Sequence, residues 1–416
     1  MKNLLLKLFA CTLVIGLLSA CQGDQGGGQT ADGVIQINFI NGFTGGDGEF
    51  MRRITDAFNA SQDRIFVNEQ QEPDHYIQFI TGDFDLLVIH GDLIATYITD
   101  GLIQPVNSIY EAAGLSINDF LPAGQNLVNF GGQLYAFPLD IHPLTMFYNR
   151  TLVSQTPASW ADLLALQDTL PPNVYPMGIP GAGLVEWYMM FLAAQDGVTV
   201  SDGEAMLFDT NEFADSVLML NRMLFHYEIS PLNLGLDGEF STFMNDEPSA
   251  ASPQTAVALT GPWFYTAALE RFGDDLGVAP LPVIGRSGGT YGGSHTIAVS
   301  SSVTDQARLD AIAEYMAFMF EVSNILIWAE SGQAPLLSAA ADYILTNRDR
   351  FPLPYANINQ FGNVRTAPPV YQVREQTRFL NENVFATIVS TPGLTREALM
   401  PELEQATRFA REVAEQ

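Results

Sequence analysis

The segment VIQINFI (Val34 to Ile40) alternates apolar and polar positions and is rich in β-branched residues, which predicts a strand. The glycine-rich turn GFTGGDGE follows, and then Phe50, Ile54, Ala57 and Phe58 recur on one helical face. RIFVNEQ predicts a second strand, and FDLLVIHG (Phe84 to Gly91) a third. The third is nearly all apolar, as expected of a strand covered by helices on both faces. LIATYITDGLIQPV then predicts a helix ending at Gly101. Strands and helices in alternation predict an α/β fold.

The same pattern continues. Ser159-Trp160-Ala161-Asp162 has the form of a capping box. Phe213, Val217, Leu220 and Leu224 mark an amphipathic helix, and residues 308–321 an apolar one. In the last helix Leu403, Ala406, Phe409 and Val413 are expected to face inward. Between them, AVALT (Ala256 to Thr260) reads as a buried strand and TAALERF as a helix, joined by Gly261-Pro262 and three consecutive aromatics. Neighbouring positions on a helical turn point about 100° apart. Trp263 is therefore expected to face a ligand, with Phe264 and Tyr265 nearer the core.

Composition narrows the function. The chain has 416 residues, 47% of them hydrophobic, which suits two domains with sizeable cores. Its net charge of −29 reflects scarce bases, 18 Lys and Arg against 47 Asp and Glu. Such a surface repels nucleic acid. At the N-terminus, a basic start (MKNLLLK), a short apolar run and Leu18-Ser19-Ala20-Cys21 build a secretory signal peptide over 1–20. The ending resembles the lipobox of bacterial lipoproteins, which makes Cys21 the expected lipidation site. QGDQGGGQTADG then reads as a flexible tether, 21–33. The other cysteine, Cys11, lies inside the removed segment, so no disulfide or thiolate chemistry is expected in the body.

Catalytic and cofactor motifs do not emerge. His75, His90, His142, His226 and His295 fit no local zinc spacing. Gly292-Gly293-Ser294-His295 is not a nucleophile elbow. GFTGGDGE lacks the ending of a phosphate loop, and both lysines, Lys2 and Lys7, precede it in the signal segment. No enzyme activity, metal or other cofactor is expected.

Six stretches, in order from about residue 80 to 340, resemble the extracellular solute-binding proteins of ATP-driven importers, in the sugar-binding, maltose-binding-protein-like group. They are FDLLVIHGDLIATYITDGLIQPV, LYAFPLDIHPLTMFYNR, TPASWADLLAL, ALTGPWFY, GGSHTIAVSSSV and WAESGQAPLL. The resemblance implies two α/β lobes, each a mainly parallel sheet flanked by helices, joined by crossing strands near Asp140 to Pro143 and Tyr291 to His295. Lobe 1 would comprise 34–140 plus 293–325, and lobe 2 144–290 plus 326–416. It also implies hinge closure on a solute, delivery to a membrane permease and a monomeric state.

Ligands in open α/β sheets sit beyond the carboxyl ends of strands. That rule selects Phe43, Thr44 and Asp47 after the first strand, His90 after the third, and Trp263 after AVALT. Asp47 stands equally where a helix cap would. The resemblance adds His142 and Tyr291 at the crossings, and Trp187 opens a helix behind the glycine-rich turn GIPGAGLVE. Trp328 is expected in the core, and Asp85 as a structural acceptor. Aromatic planes suit the CH face of a sugar, and Asp and His its hydroxyl rim. A sugar or oligosaccharide is thus the expected solute. The alternatives are another polar or cationic solute, or a surface polysaccharide hydrolase. An anionic solute is disfavoured, since no arginine pair lies near these loops.

Overall fold

A computed structural model describes residues 33–416. The expected signal peptide, Cys21 and all but the last residue of the tether lie outside the described residues. In chain order the strands are β1 (Ile35–Asn41), β2 (Ile65–Gln71), β3 (Leu86–His90), β4 (Asn129–Phe130), β5 (Gln133–Leu134), β6 (Ala136–Pro143), β7 (Thr145–Asn149), β8 (Val174–Met177), β9 (Gln254–Thr260), β10 (Leu276–Ala279), β11 (Thr290–Val299), β12 (Ala334–Pro335) and β13 (Val364–Arg365).

They form two principal sheets, each with its own core. The first has the order β12-β6-β11-β3-β1-β2, with β13 beside β11. The second has the order β10-β7-β9-β8. β1 runs parallel to β2 and β3, whereas β11 runs antiparallel to β3 and β6. The sheets are therefore mixed rather than mainly parallel. The reason is the crossing strands: a chain that arrives from the other lobe enters its sheet from the opposite end.

The first core gathers residues from Ile37 to Ile141 and from Ile297 to Phe351. The second gathers residues from Leu144 to Tyr291 and from Val370 to Ala410. The chain thus passes between cores at Ile141/Leu144, within β11, and between Phe351 and Val370. Residues 326–351, expected with the second lobe, pack in the first core. The helix Val322–Glu330 buries Ile325, Leu326 and Trp328 there, and β12 then adds to β6. A two-residue strand leaves no periodicity to read in the sequence.

Several local expectations find direct counterparts. Ser159 and Asp162 cap the helix Trp160–Ala165 reciprocally. Asp85 accepts the Asn38 backbone N–H at 2.8 Å and an Arg308 guanidinium N–H at 2.9 Å. Among the described residues no single helix is long and apolar enough to cross a membrane.

Candidate functional site

Three neighbouring strands of the first sheet bring polar side chains to one row. His295 on β11 pairs with His90 at the end of β3 on one side and with Asp140 on β6 on the other. His142, two residues beyond Asp140, points to the same face by strand alternation and lies opposite Gly293. A β-carbon at Gly293 would sit 2.3 Å from His142 Nε2, so a glycine is required beneath the ring. The register slips between His295 and Thr296, which leaves Leu139 without an opposite residue. That bulge re-aims the strand.

Asp140 is the hub. It is fully buried and accepts Nδ1–H of His142 at 2.9 Å, Nδ1–H of His295 at 3.0 Å, and the Trp328 indole N–H at 2.8 Å. Burial pushes its carboxyl up, but the neighbouring His295 and His142 outweigh that and hold it well below the usual carboxylate range. Burial pushes the His142 imidazole down to about 4, assisted by His295 and opposed by Asp140. His90 also lies well below its ordinary value through burial. Its Nδ1 meets the Tyr76 hydroxyl at 2.5 Å.

The second lobe supplies the facing wall. Trp187 sits in the first turn of the helix Val185–Gln195, and Trp263 in the turn Pro262–Phe264 after β9. The two indoles meet edge to face at 5.7 Å, and Trp187 stacks over His142 at 6.0 Å. Trp263 folds back over Gly261, where a β-carbon would come within 2.1 Å of its ring. Phe264 instead stacks on Phe240 at 4.1 Å, and Tyr265 is buried in a separate cluster. Trp263 thus turns toward the second lobe's cleft wall, and Phe264 and Tyr265 toward a different cluster.

A cavity of about 360 Å³ lies between these walls. All the expected ligand-facing residues except Tyr291 line it: Phe43, Thr44, Asp47, His90, His142, Trp187 and Trp263. Phe43 is itself buried, against Trp328 at 4.7 Å and His295 at 4.9 Å, while Thr44 is exposed at the mouth. Asp47 makes no side-chain cap; its carboxylate accepts from Gln333 at 3.2 Å, and burial pushes it up. Gln333 Oε1, fully buried in the same wall, has no hydrogen-bond partner among the described residues.

Tyr291 lines an adjoining cavity of about 310 Å³, which shares His90 and Trp187 with the first. Here the Tyr291 hydroxyl donates to Glu186 at 3.3 Å, and Asn381 donates to the other Glu186 oxygen at 3.0 Å. Burial pushes the Glu186 carboxyl up. Arg374 enters from the second lobe and grips Asp92 of the first through two hydrogen bonds, at 2.6 and 3.1 Å. This guanidinium is already paired, so it does not offer a free anion site. A larger cavity of about 970 Å³, beside Tyr265, Leu276 and Tyr355, contains none of the expected residues.

Sequence reasoning missed His295, Gln333, Glu186 and Arg374 as wall residues, and Asp140 as the buried hub behind them. The alternation in Leu139-Asp140-Ile141-His142 could place Asp140 beside His142 on one strand face. The register that brings β3 and β11 alongside cannot be read locally.

Two lobes joined by crossing strands, with a lined cavity between them, have the architecture of a solute-binding protein. The sequence profile of the bacterial extracellular solute-binding protein family matches residues 55–349, and the chain belongs to that family. It is 25% identical over 210 residues to the maltotriose-binding protein of Pyrococcus abyssi, a match covering 50% of this chain and 44% of that protein. It is 24% identical over 301 residues to a maltooligosaccharide ABC transporter solute-binding lipoprotein of Streptococcus pneumoniae, covering 70% of this chain and 68% of the relative. The fold matches the GacH receptor of Streptomyces glaucescens, solved unliganded and with acarbose, at a TM-score of 0.75 and 15% identity, over 91% of this chain and 98% of that one. It also matches maltose-bound MalE3 of T. maritima, at a TM-score of 0.75 and 15% identity, over 90% and 99%.

Proposed function

We propose that this chain captures a sugar or short oligosaccharide in the cleft between its lobes and hands it to the permease of an ATP-driven importer. The observation that carries this reading is the pair of indoles, Trp187 and Trp263, facing the Asp47–Gln333 wall across one cavity. Indole planes cover the CH face of a sugar ring at small entropic cost. Gln333 Oε1, without a partner among the described residues, is a buried acceptor ready for a hydroxyl. An analogue lacking that hydroxyl would leave it unpaired, which is costly in a closed cleft. The relatives, a maltotriose-binding protein and a maltooligosaccharide solute-binding lipoprotein, support the same class.

The rest of the proposal is that Cys21 carries a lipid, that the body works outside the cytoplasm as a monomer, and that it performs no turnover. The lipoprotein relative and the lipobox support the anchor. A cationic solute is the second reading. Glu186 favours it: among the described residues it pairs with no cation and lies beside Trp187 and Tyr291.

Thermal unfolding of the folded chain against a panel of maltooligosaccharides and quaternary amines separates the two. A binder is stabilised by its own ligand, increasingly with concentration. Stabilisation by a sugar supports the first reading. Stabilisation by amines alone transfers the site to the second, and release of shortened glycan contradicts both.

A further inference from the structure

The floor of the cleft carries chemistry that sugar capture does not require. His90 from β3, His142 from β6 and His295 from β11 each offer a ring nitrogen within 4.8 Å of those of the other two. We propose that this cluster is a site for one late first-row divalent ion of the zinc, copper or nickel class. Three imidazoles hold the ion, and its remaining position opens to the cleft. This goes beyond sugar capture and does not depend on it.

The hydrogen-bond pattern supports the assignment more than proximity does. Nδ1–H of His142 and of His295 both donate to Asp140, which leaves the lone pair of each ring at Nε2. A carboxylate behind a ligating imidazole is the usual means of fixing its tautomer and raising its basicity. Here one carboxylate serves two rings, and the Trp328 N–H fixes the carboxylate in turn. The third ring has its own support. The Tyr76 oxygen accepts the His90 backbone N–H at 3.0 Å and lies 2.5 Å from His90 Nδ1. A hydroxyl oxygen has two acceptor lone pairs, so it can take Nδ1–H as well and free His90 Nε2.

Charge and size agree. The negative charge of Asp140 lies directly behind the rings without being one of the ligands, which favours a dication over an anion or a neutral solute at this spot. Metal–nitrogen bonds of about 2.0–2.1 Å put tetrahedral donors about 3.4 Å apart. One nitrogen of each ring already lies within 4.8 Å of the others, and ring rotation has to bring the three Nε2 lone pairs to that spacing. Imidazole selects zinc, copper and nickel over calcium and magnesium, which prefer oxygen. Among the described residues no fourth His, Cys, Asp or Glu joins the cluster. The open position is left to water or to an oxygen of the solute.

The test is calorimetric titration of the full chain with Zn²⁺ in excess Mg²⁺, which occupies the many surface carboxylates. The expected result is one Zn²⁺ per chain. His90→Gln should weaken it at least about 100-fold and Tyr76→Phe about 10- to 100-fold, the usual range for an outer-shell partner. Absence of a one-to-one step, or a His90→Gln variant that binds as the parent does, overturns the proposal. If His90→Gln does not fold, X-ray absorption of the zinc-loaded parent decides. A shell with three nitrogens supports the site, and an all-oxygen shell overturns it. No sugar enters this titration, so its failure is distinguishable from failure of the sugar reading.

Discussion

Trp263 stands on a glycine that has no room for a side chain, in edge-to-face contact with Trp187 and His142. Its ring is only partly buried against the second core, so its removal should cost affinity more than stability. Trp263→Ala is expected to weaken sugar binding about 10- to 100-fold, as for an aromatic anchor, with only a small fall in Tm. If Tm collapses while the folded fraction binds normally, the ring serves packing. Glu239 makes a different residue-scale prediction. It is fully buried; one carboxylate oxygen accepts from Thr260 at 3.2 Å and the other has no partner among the described residues. Burial, with a smaller contribution from Asp237, pushes it up to about 7 from 4.5. The folded chain then binds more protons than the unfolded chain between those values. Stability should be full below about pH 4.5 and fall as pH rises to about 7, by about 3 kcal/mol for this group. Denaturant titrations at pH 5 and 8 should show most of that loss in the parent and lack it in Glu239→Gln. An equal loss in both would assign it to other groups. Trp263 was legible because Gly-Pro-Trp follows an apolar strand. Glu239 was not, because its burial arises only when the helix Gly238–Phe243 packs against β9.

Among the elements, the short helix Val373–Gln376 has the clearest mechanical role. Val373 is rooted in the second core while Arg374 reaches Asp92, and the Gln372 N–H donates to Thr96 Oγ1 at 2.9 Å. Asp92 and Thr96 precede and follow Ile94, which is rooted in the first core. The contact therefore spans the lobes beside the cleft. Its charged partners are partly solvated, which limits their contribution. Arg374→Ala should accelerate solute release about two- to tenfold in a stopped-flow experiment; an unchanged release rate would remove the clasp from the mechanism. Strands and long helices were readable from periodicity, and their ends less so. In the helix Arg396–Ala414 the buried positions are Leu399, Leu403, Ala406, Thr407, Ala410 and Val413, and Phe409 is only partly buried, beside Phe379. The bulky apolar residue was the better guess by composition, but the helical phase set by Leu399 and Leu403 selects Ala410. The clasp helix itself has only four residues and carries no amphipathic signature.

At the scale of the molecule, two sheets with separate cores meet where β6, β11 and the 351–370 passage cross. Closing such lobes removes water from both cleft walls at once and penalises any solute hydroxyl left unmatched. The two-lobed α/β plan was legible from ordered stretches that resemble one family. The candidate wall was legible only where it follows strand ends, as at Phe43, Asp47 and His90. Asp140 and His295 were hidden because their meeting depends on inter-strand register and a bulge, neither of which has a sequence signal. In the proposed function, this cleft closes on a sugar and releases it unaltered. The direct measurement is isothermal titration of the folded chain with maltotriose and its shorter and longer homologues, followed by chromatography of the sugar. Saturable one-to-one binding of at least one homologue, recovered intact, is expected. No binding by any homologue, or sugar recovered as cleaved product, would contradict it.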